Sequence, residues 1–219
     1  MKTDSEKLGH IFLDQIIRRD CYGLRGIHPS PSIVLDIGGN MGMFSLAARI
    51  IYPRARIVCL EPHPETFERL QWNLRFFGVE THQVALSDTP TVGFHRGGDS
   101  GSNSTTADGE VRGMGLIDIC RRFNVDPDNA FLKVDCEGGE RQIIESMADS
   151  QYLLRFCGAG FEMHYSDGRG AQKWANAVTR QRGEQWVENL QLIMANTGGF
   201  SAAYKADRLG GMFRFRRAP

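Results

Sequence analysis

Residues Ile33-Val34-Leu35-Asp36-Ile37-Gly38-Gly39-Asn40-Met41-Gly42 join an apolar run to a glycine turn. The next apolar run, Arg56 to Leu60, ends in a carboxylate, Glu61, followed by Pro62 and His63. These types and spacings describe a buried strand, a glycine turn opening a helix, and a second strand with an acid at its tip. Doubly wound α/β folds hold nucleoside-containing ligands in this way. Glycine lets the backbone come close to a ligand where a Cβ would clash. The helix N-terminus offers free N–H donors, and the carboxylate can accept both ribose hydroxyls. Any βαβ turn can hold glycines, so the acid at the strand tip is the more informative half of the pair.

The pattern around this pair predicts the elements that position it. Thr3 and Glu6 form a capping box, and Leu8, Ile11, Phe12 and Ile16 share one helical face. Residues 1–30 thus read as a helix that either lids the cleft or covers a sheet edge, ahead of one α/β core over 31–219. Strand one is Ile33 to Asp36, followed by a helix from Gly42 to Ile51 that stops before Pro53. Strand two ends at Glu61. Pro64 starts a helix with Phe67, Leu70, Leu74 and Phe77 on its buried stripe, ending at Gly78. Strand three is Thr81 to Leu86, with a short strand at Thr91 to His95. Gly97 to Gly109 is small and polar and reads as a long loop beside the site. A helix over Leu116 to Phe123 leads to strand four, Phe131 to Asp135. A helix opens at Cys136 to Glu140 and buries Ile143, Ile144 and Met147. Strand five lies near Cys157 to Met163, then a polar loop (Tyr165 to Gly170) and a helix from Gln172 to Asn196. Two terminal strand-like runs, Gly199 to Ala206 and Gly211 to Arg217, form a hairpin. Strands alternating with helices argue a mainly parallel sheet with helices on both faces.

Ligands of such sheets lie beyond the carboxyl ends of the strands. That rim receives Asp36 to Gly42, Glu61 to His63, Ser87 and Asp88, then Asp135, Glu137 and Glu140, and finally Glu162 and His164. Glu140 falls in the first turn of its helix, where an acid usually caps. A dinucleotide would need Gly-x-Gly-x-x-Gly for its pyrophosphate. Here Gly38-Gly39-Asn40-Met41-Gly42 is followed by Met43 and Phe44. Asp36, just before the turn, would repel phosphates and attract a cation. A cofactor with a positive sulfonium and an amino group but no phosphate suits this rim, and S-adenosylmethionine is that molecule.

The chain resembles the FkbM-type S-adenosylmethionine-dependent methyltransferases from about residue 30 to 165. The resemblance is carried by Val34 to Gly42, Glu61-Pro62-His63, Val84-Ala85-Leu86-Ser87-Asp88, Gly101-Ser102-Asn103-Ser104, Phe131 to Glu140 and Glu162-Met163-His164. The block Phe131-Leu132-Lys133-Val134-Asp135-Cys136-Glu137-Gly138-Gly139-Glu140 is the most specific part. Gly139 stands where alanine is common, and Cys136 where valine is common. The resemblance implies a class I, Rossmann-like methyltransferase sheet of seven strands with the last antiparallel. It also implies O-methylation of a hydroxyl on a sugar, polyketide or other secondary metabolite. Carried over by position, Gly38, Asn40 and Gly42 would face the methionine part, Glu61 would hold the ribose, and Ala85 with its neighbours such as Leu86 would border the adenine. Asp36, Gly39, Pro62, Ser104 and Asp135 are the remaining cofactor-binding candidates.

A sugar or alkyl hydroxyl is a poor nucleophile, so a base assists its methylation. His164, Asp135, Glu137 and Glu162 are the candidates, and His164 has the most suitable ordinary pKa. Asp135 could instead hold the cofactor's amino group or orient His164. The same four side chains could approach a divalent ion, oxygen ligands suiting magnesium and histidine softer ions. Their spacing is no metal signature, and no metal is expected. An NAD-dependent oxidoreductase, a silent cofactor-binding module, and methyl transfer to nitrogen or a carboxylate are the competing readings.

Composition narrows the classes further. The 219 residues carry 26 Lys+Arg and 26 Asp+Glu, so no strong field favours nucleic acid or a membrane. Basic residues gather late, from Lys205 through Arg217, and read as a solvated face. The 5 cysteines are scattered, with no Cys-x-x-Cys pair. Reduced thiols, no signal-peptide core and no membrane-length apolar run predict a cytoplasmic protein. A small-molecule or glycan hydroxyl is the expected partner.

Overall fold

The computed structural model describes residues 11–95, 104–136, 139–140, 143, 146, 151–164, 188, 200–206 and 210–217. The first described helix, α1 (Ile11–Arg18), is wound with wide π-type turns, Arg19 N–H reaching back to the Asp14 carbonyl at 3.0 Å. Then follow β1 (Ile33–Ile37), α2 (Met43–Ile51), β2 (Arg56–Leu60) and α3 (Pro64–Leu74). Next come β3 (Val79–His82), β4 (Val84–Leu86), β5 (Thr91–His95), β6 (Ser104–Met114) and α4 (Leu116–Arg122). The chain continues through β7 (Ala130–Val134), β8 (Gly158–His164), β9 (Phe200–Ala206) and β10 (Gly210–Arg217). The N-terminal capping box, the loop after His164 and the helix expected over 172–196 lie outside the described residues.

Seven strands form one sheet in the order β3-β2-β1-β7-β8-β10-β9. β10 runs antiparallel to both of its neighbours, and the other described pairings in this sheet are parallel. The terminal hairpin is therefore present. The strand expected over Thr81 to Leu86 is broken at Gln83, whose side-chain amide donates to the Pro62 carbonyl at 3.2 Å. Its first half pairs with β2, while β4 leaves that sheet and pairs with β6. Ser104 to Gly109, expected to belong to a polar loop, are instead part of β6. β6 draws its hydrogen bonds from β5 and β4. Among the described residues, Ala85, Val92 and Val111 form an apolar cluster on this three-stranded sheet.

Register sorts the seven-stranded sheet into two faces. Leu35, Ile37, Val58, Leu60, Leu132, Val134, Ala159 and Phe161 fill the larger core. The opposite face carries Val34 and Asp36, Ile57 and Cys59, Phe131 and Lys133, and then Gly160 beside Lys133. It is covered by α2 and by the chain that follows α1. Gly160 makes that cover possible, because a Cβ there would strike the Tyr22 backbone. Gly160→Ala is expected to cost about 1–3 kcal/mol by overpacking, read as a lower urea midpoint. An unchanged midpoint would mean that the Tyr22 backbone does not press on β8.

Candidate active site

The turn after β1 is shaped first by the protein's own backbone. Gly38 (φ 81) and Gly39 both donate their N–H to the Leu60 carbonyl, at 2.9 and 2.8 Å. A Cβ on Gly38 would overlap the Asp135 carbonyl at the end of β7. Glycine is required here by the close approach of two strand ends and by the left-handed backbone. The turn then leads into α2 through Gly42, and it aims the Asn40 N–H at Glu61.

Glu61 is the hub of this turn. It is 7% exposed, and its two carboxylate oxygens accept N–H bonds from Asn40 and His63, each at 2.9 Å. Burial raises its pKa, against the pull of these two N–H donors. A carboxylate has about four lone-pair sites, so two N–H bonds leave acceptor capacity for a vicinal diol. Beside it, the Asn40 side-chain oxygen is buried without a hydrogen-bond partner. A buried, unfilled acceptor next to a buried carboxylate fits a ligand that brings its own donors. Pro62 is half-buried between these residues and Gln83. On β4, Ala85 packs with Val92 and Val111, while Leu86 belongs to the larger core.

Asp36 is committed inside the protein. It is 0% exposed, accepts from the Ser45 hydroxyl at 2.7 Å, and lies 3.1 Å from the Lys133 ammonium. Lys133 also donates to the Gly38 carbonyl at 2.5 Å and stands 3.6 Å from Asp135. Burial opposes the charge on Lys133, but Asp36 and then Asp135 outweigh it and its pKa is raised. The spacing of Ser45 and Lys133 in the sequence assigns neither of them to the site. A lysine inside the apolar run Ala130–Val134 was the available signal, since buried lysines are nearly always paired.

Further along the same face, Tyr22 brings two rim carboxylates together. Its hydroxyl lies 2.8 Å from Asp135 Oδ2 and 3.3 Å from Glu162 Oε2. The ring packs edge-on against Phe44, centroids 5.2 Å apart. Burial, then Asp135 and Glu162, push the phenol pKa well up. Neighbouring Cys21 is pushed up to about 12, by burial and then by Glu162, which keeps its thiol protonated. Nothing local in the sequence marked Tyr22. Glu140 is fully buried and accepts from the Cys136 N–H at 2.7 Å, a cap on its own turn. Glu137 lies outside the described residues. Ser104 begins β6 and His164 ends β8. Among the described residues no group of three or more His, Cys, Asp or Glu side chains is placed to hold a metal ion. No described helix is long and apolar enough to cross a membrane.

A parallel sheet closed by one antiparallel strand, with a glycine turn and an acid at adjacent strand ends, defines a class I methyltransferase fold. The chain belongs to the FkbM methyltransferase family: the Methyltransferase FkbM domain matches residues 36–191. It is similar to "Methyltransferase 1" of Beauveria bassiana, 38% identical over 79 residues. That stretch is 35% of this chain and only 29% of the length of the Beauveria protein. "Methyltransferase sdnD" of Sordaria araneosa is 27% identical, with 64% of this chain and 69% of that protein covered. Among solved structures, the O-methyltransferase from Bacillus cereus in complex with SAH is 12% identical with a TM-score of 0.48, covering 99% of this chain and 92% of that one.

Proposed function

We propose that this methyltransferase uses S-adenosylmethionine to methylate a hydroxyl group of a small molecule, such as a sugar, polyketide or other secondary metabolite. The observation that carries the reading is Glu61, a buried carboxylate held by the Asn40 and His63 amides beside the unfilled Asn40 oxygen. Glu61 holds the two ribose hydroxyls. Gly38, Gly39, Asn40 and Gly42 receive the methionine part, with Pro62, Ala85, Leu86 and Ser104 around the nucleoside. The bound cofactor supplies an electrophilic methyl on a sulfonium. The protein's task is to align the acceptor oxygen with it, which proximity alone makes fast, and to take the hydroxyl proton. Asp135, Glu137, Glu162 and His164 are the groups at the rim for that proton. The acid-rich rim also favours a net-positive cofactor over a pyrophosphate-bearing one.

Calorimetric titration with S-adenosylhomocysteine and with NAD in parallel tests the cofactor. Binding of the first and not the second is expected, and the reverse would point to an oxidoreductase. Methyl-labelled S-adenosylmethionine incubated with hydroxylated metabolites should give an alkali-stable ether. A labile ester or a methylamine in its place would move the reaction to a carboxylate or nitrogen, and no product at all would favour a silent binding module.

A further inference from the structure

We propose that the far end of α3 is a docking surface for a bilayer rich in anionic lipid, on which the protein rests without spanning it. Among the described residues, the exposed large apolar side chains are Ile50, Trp72, Phe76 and Phe77, with Trp72 67% and Phe76 81% accessible. All four come from the last turn of α2, the end of α3 or the residues just after it. Leu46 packs against the cluster of Cys59, Leu70 and Leu74 between these helices, and Ile50 stands one turn further along the same face. Arg49 ties the corner together, its guanidinium donating to the Phe77 and Gly78 carbonyls, each at 2.9 Å. Single exposed apolar side chains are ordinary, but several gathered together and rimmed by charge mark a surface that meets a partner.

The charge around this corner selects the partner. Residues 49–56 and 69–78 hold five arginines, Arg49, Arg54, Arg56, Arg69 and Arg75, and no aspartate or glutamate. Glu80 pairs with Arg56 at 2.6 Å, and the acids of α3 itself, Glu65 and Glu68, lie toward its start. The whole chain is neutral, so the excess of positive charge is local, and it complements an anionic surface. Arg75 lies over the Trp72 ring at 3.7 Å and over the Phe76 ring at 4.5 Å. Arginine beside tryptophan suits the headgroup boundary, where the ring enters the upper acyl region and the guanidinium meets lipid phosphate.

Other occupants fit less well. A symmetric contact with a second copy through this corner would set the arginines against the same arginines. Single-stranded nucleic acid stacks its bases on open aromatic faces, and Arg75 already covers one face of both rings. α3 begins at Pro64, directly after His63, and its 11 residues put about 16 Å between the Glu61 turn and the patch. Docking here does not cover that turn, and it holds or fails independently of the methyl-transfer reading.

The test is co-sedimentation with vesicles. Wild-type protein should bind phosphatidylcholine vesicles containing about one-third phosphatidylserine at least about tenfold more strongly than phosphatidylcholine alone, and less strongly as salt rises. Trp72→Ser/Phe76→Ser should weaken that binding at least about tenfold, and Arg69→Glu/Arg75→Glu should abolish the preference for phosphatidylserine. These side chains are exposed, so both variants should keep the wild-type urea midpoint, and their affinity for S-adenosylhomocysteine should stay within about twofold. Brominated lipid should quench the tryptophan emission of vesicle-bound wild type more than that of Trp72→Phe, which keeps an aromatic ring. Absence of binding to the anionic vesicles, undiminished binding by Trp72→Ser/Phe76→Ser, or equal quenching in Trp72→Phe overturns the proposal. In place of vesicle binding, a dimer that the double serine variant dissociates would assign the corner to a second copy. Binding of single-stranded RNA lost in that variant would assign it to nucleic acid, and either result also overturns the proposal.

Discussion

Lys133→Met lowers the unfolding free energy by about 3–5 kcal/mol, the cost of breaking a buried pair from one side. Lys133 and Asp36 are 3% and 0% exposed, so removing the ammonium strands a carboxylate with no water to solvate it. The Gly38 carbonyl also loses its donor, at the turn that carries Asn40 toward Glu61. Urea unfolding followed by circular dichroism at neutral pH reads the loss. The double variant Asp36→Asn/Lys133→Met should recover at least half of it, because no charge is then left buried. A loss below about 1 kcal/mol in the single variant would mean that the ion pair is not buried as described. The pH dependence has a definite sign. Lys133 has a raised folded-state pKa, so its contribution is fully present below the ordinary lysine value of about 10.4. It is lost as pH climbs through the raised value, and wild-type stability should fall in alkali more steeply than that of the double variant.

Glu61→Gln weakens S-adenosylhomocysteine binding at least about tenfold, equivalent to about 1.4 kcal/mol. The carboxylate meets two backbone N–H donors and retains lone pairs for two hydroxyls. A glutamine has one acceptor oxygen, and its NH₂ would face either the Asn40 or the His63 N–H, donor against donor. Hydrogen bonds to a charged group are worth about 1.5–3 kcal/mol each, so loss of one ribose bond suffices for the effect. Calorimetry on variant protein with native circular dichroism is the measurement, and undiminished affinity would displace the ribose from Glu61. Burial gives Glu61 a raised pKa. In the free protein its ionisation therefore costs stability as pH rises from the ordinary carboxylate value through the raised one. Cofactor binding needs the ionised form, so affinity should strengthen with pH over that same window and be steady above it.

Much of this site was legible because its signals are local. The apolar run into Gly38, the acid after Leu60 and the block at Phe131 to Glu140 each lie within one turn or strand, where backbone sterics and periodicity act. Glu140 read as a cap for the same reason, and it caps its own turn at Cys136. What could not be read depends on pairings distant in sequence. Strand β4 ends up in a second sheet because its partner is Arg112 to Met114, not β2. Ser104 to Gly109 carry few apolar side chains, so only their neighbours reveal them as strand. Tyr22, in the segment after α1, lies packed against β8 at Gly160, a contact between residues far apart in sequence.

By itself the sequence determined a doubly wound sheet with a terminal hairpin, a glycine turn facing Glu61, and the methyltransferase family. Those properties follow from short-range sterics and from the residues that each strand delivers to the rim. Tertiary structure alone decided how the charges there are shared. Asp36, which the sequence offers to a cation of the ligand, is given the protein's own cation, Lys133. Asp135 and Glu162 come from different strands and meet at a phenol from a third part of the chain. Charge pairing in a low-dielectric interior depends on distance in space, and no spacing along the chain encodes it.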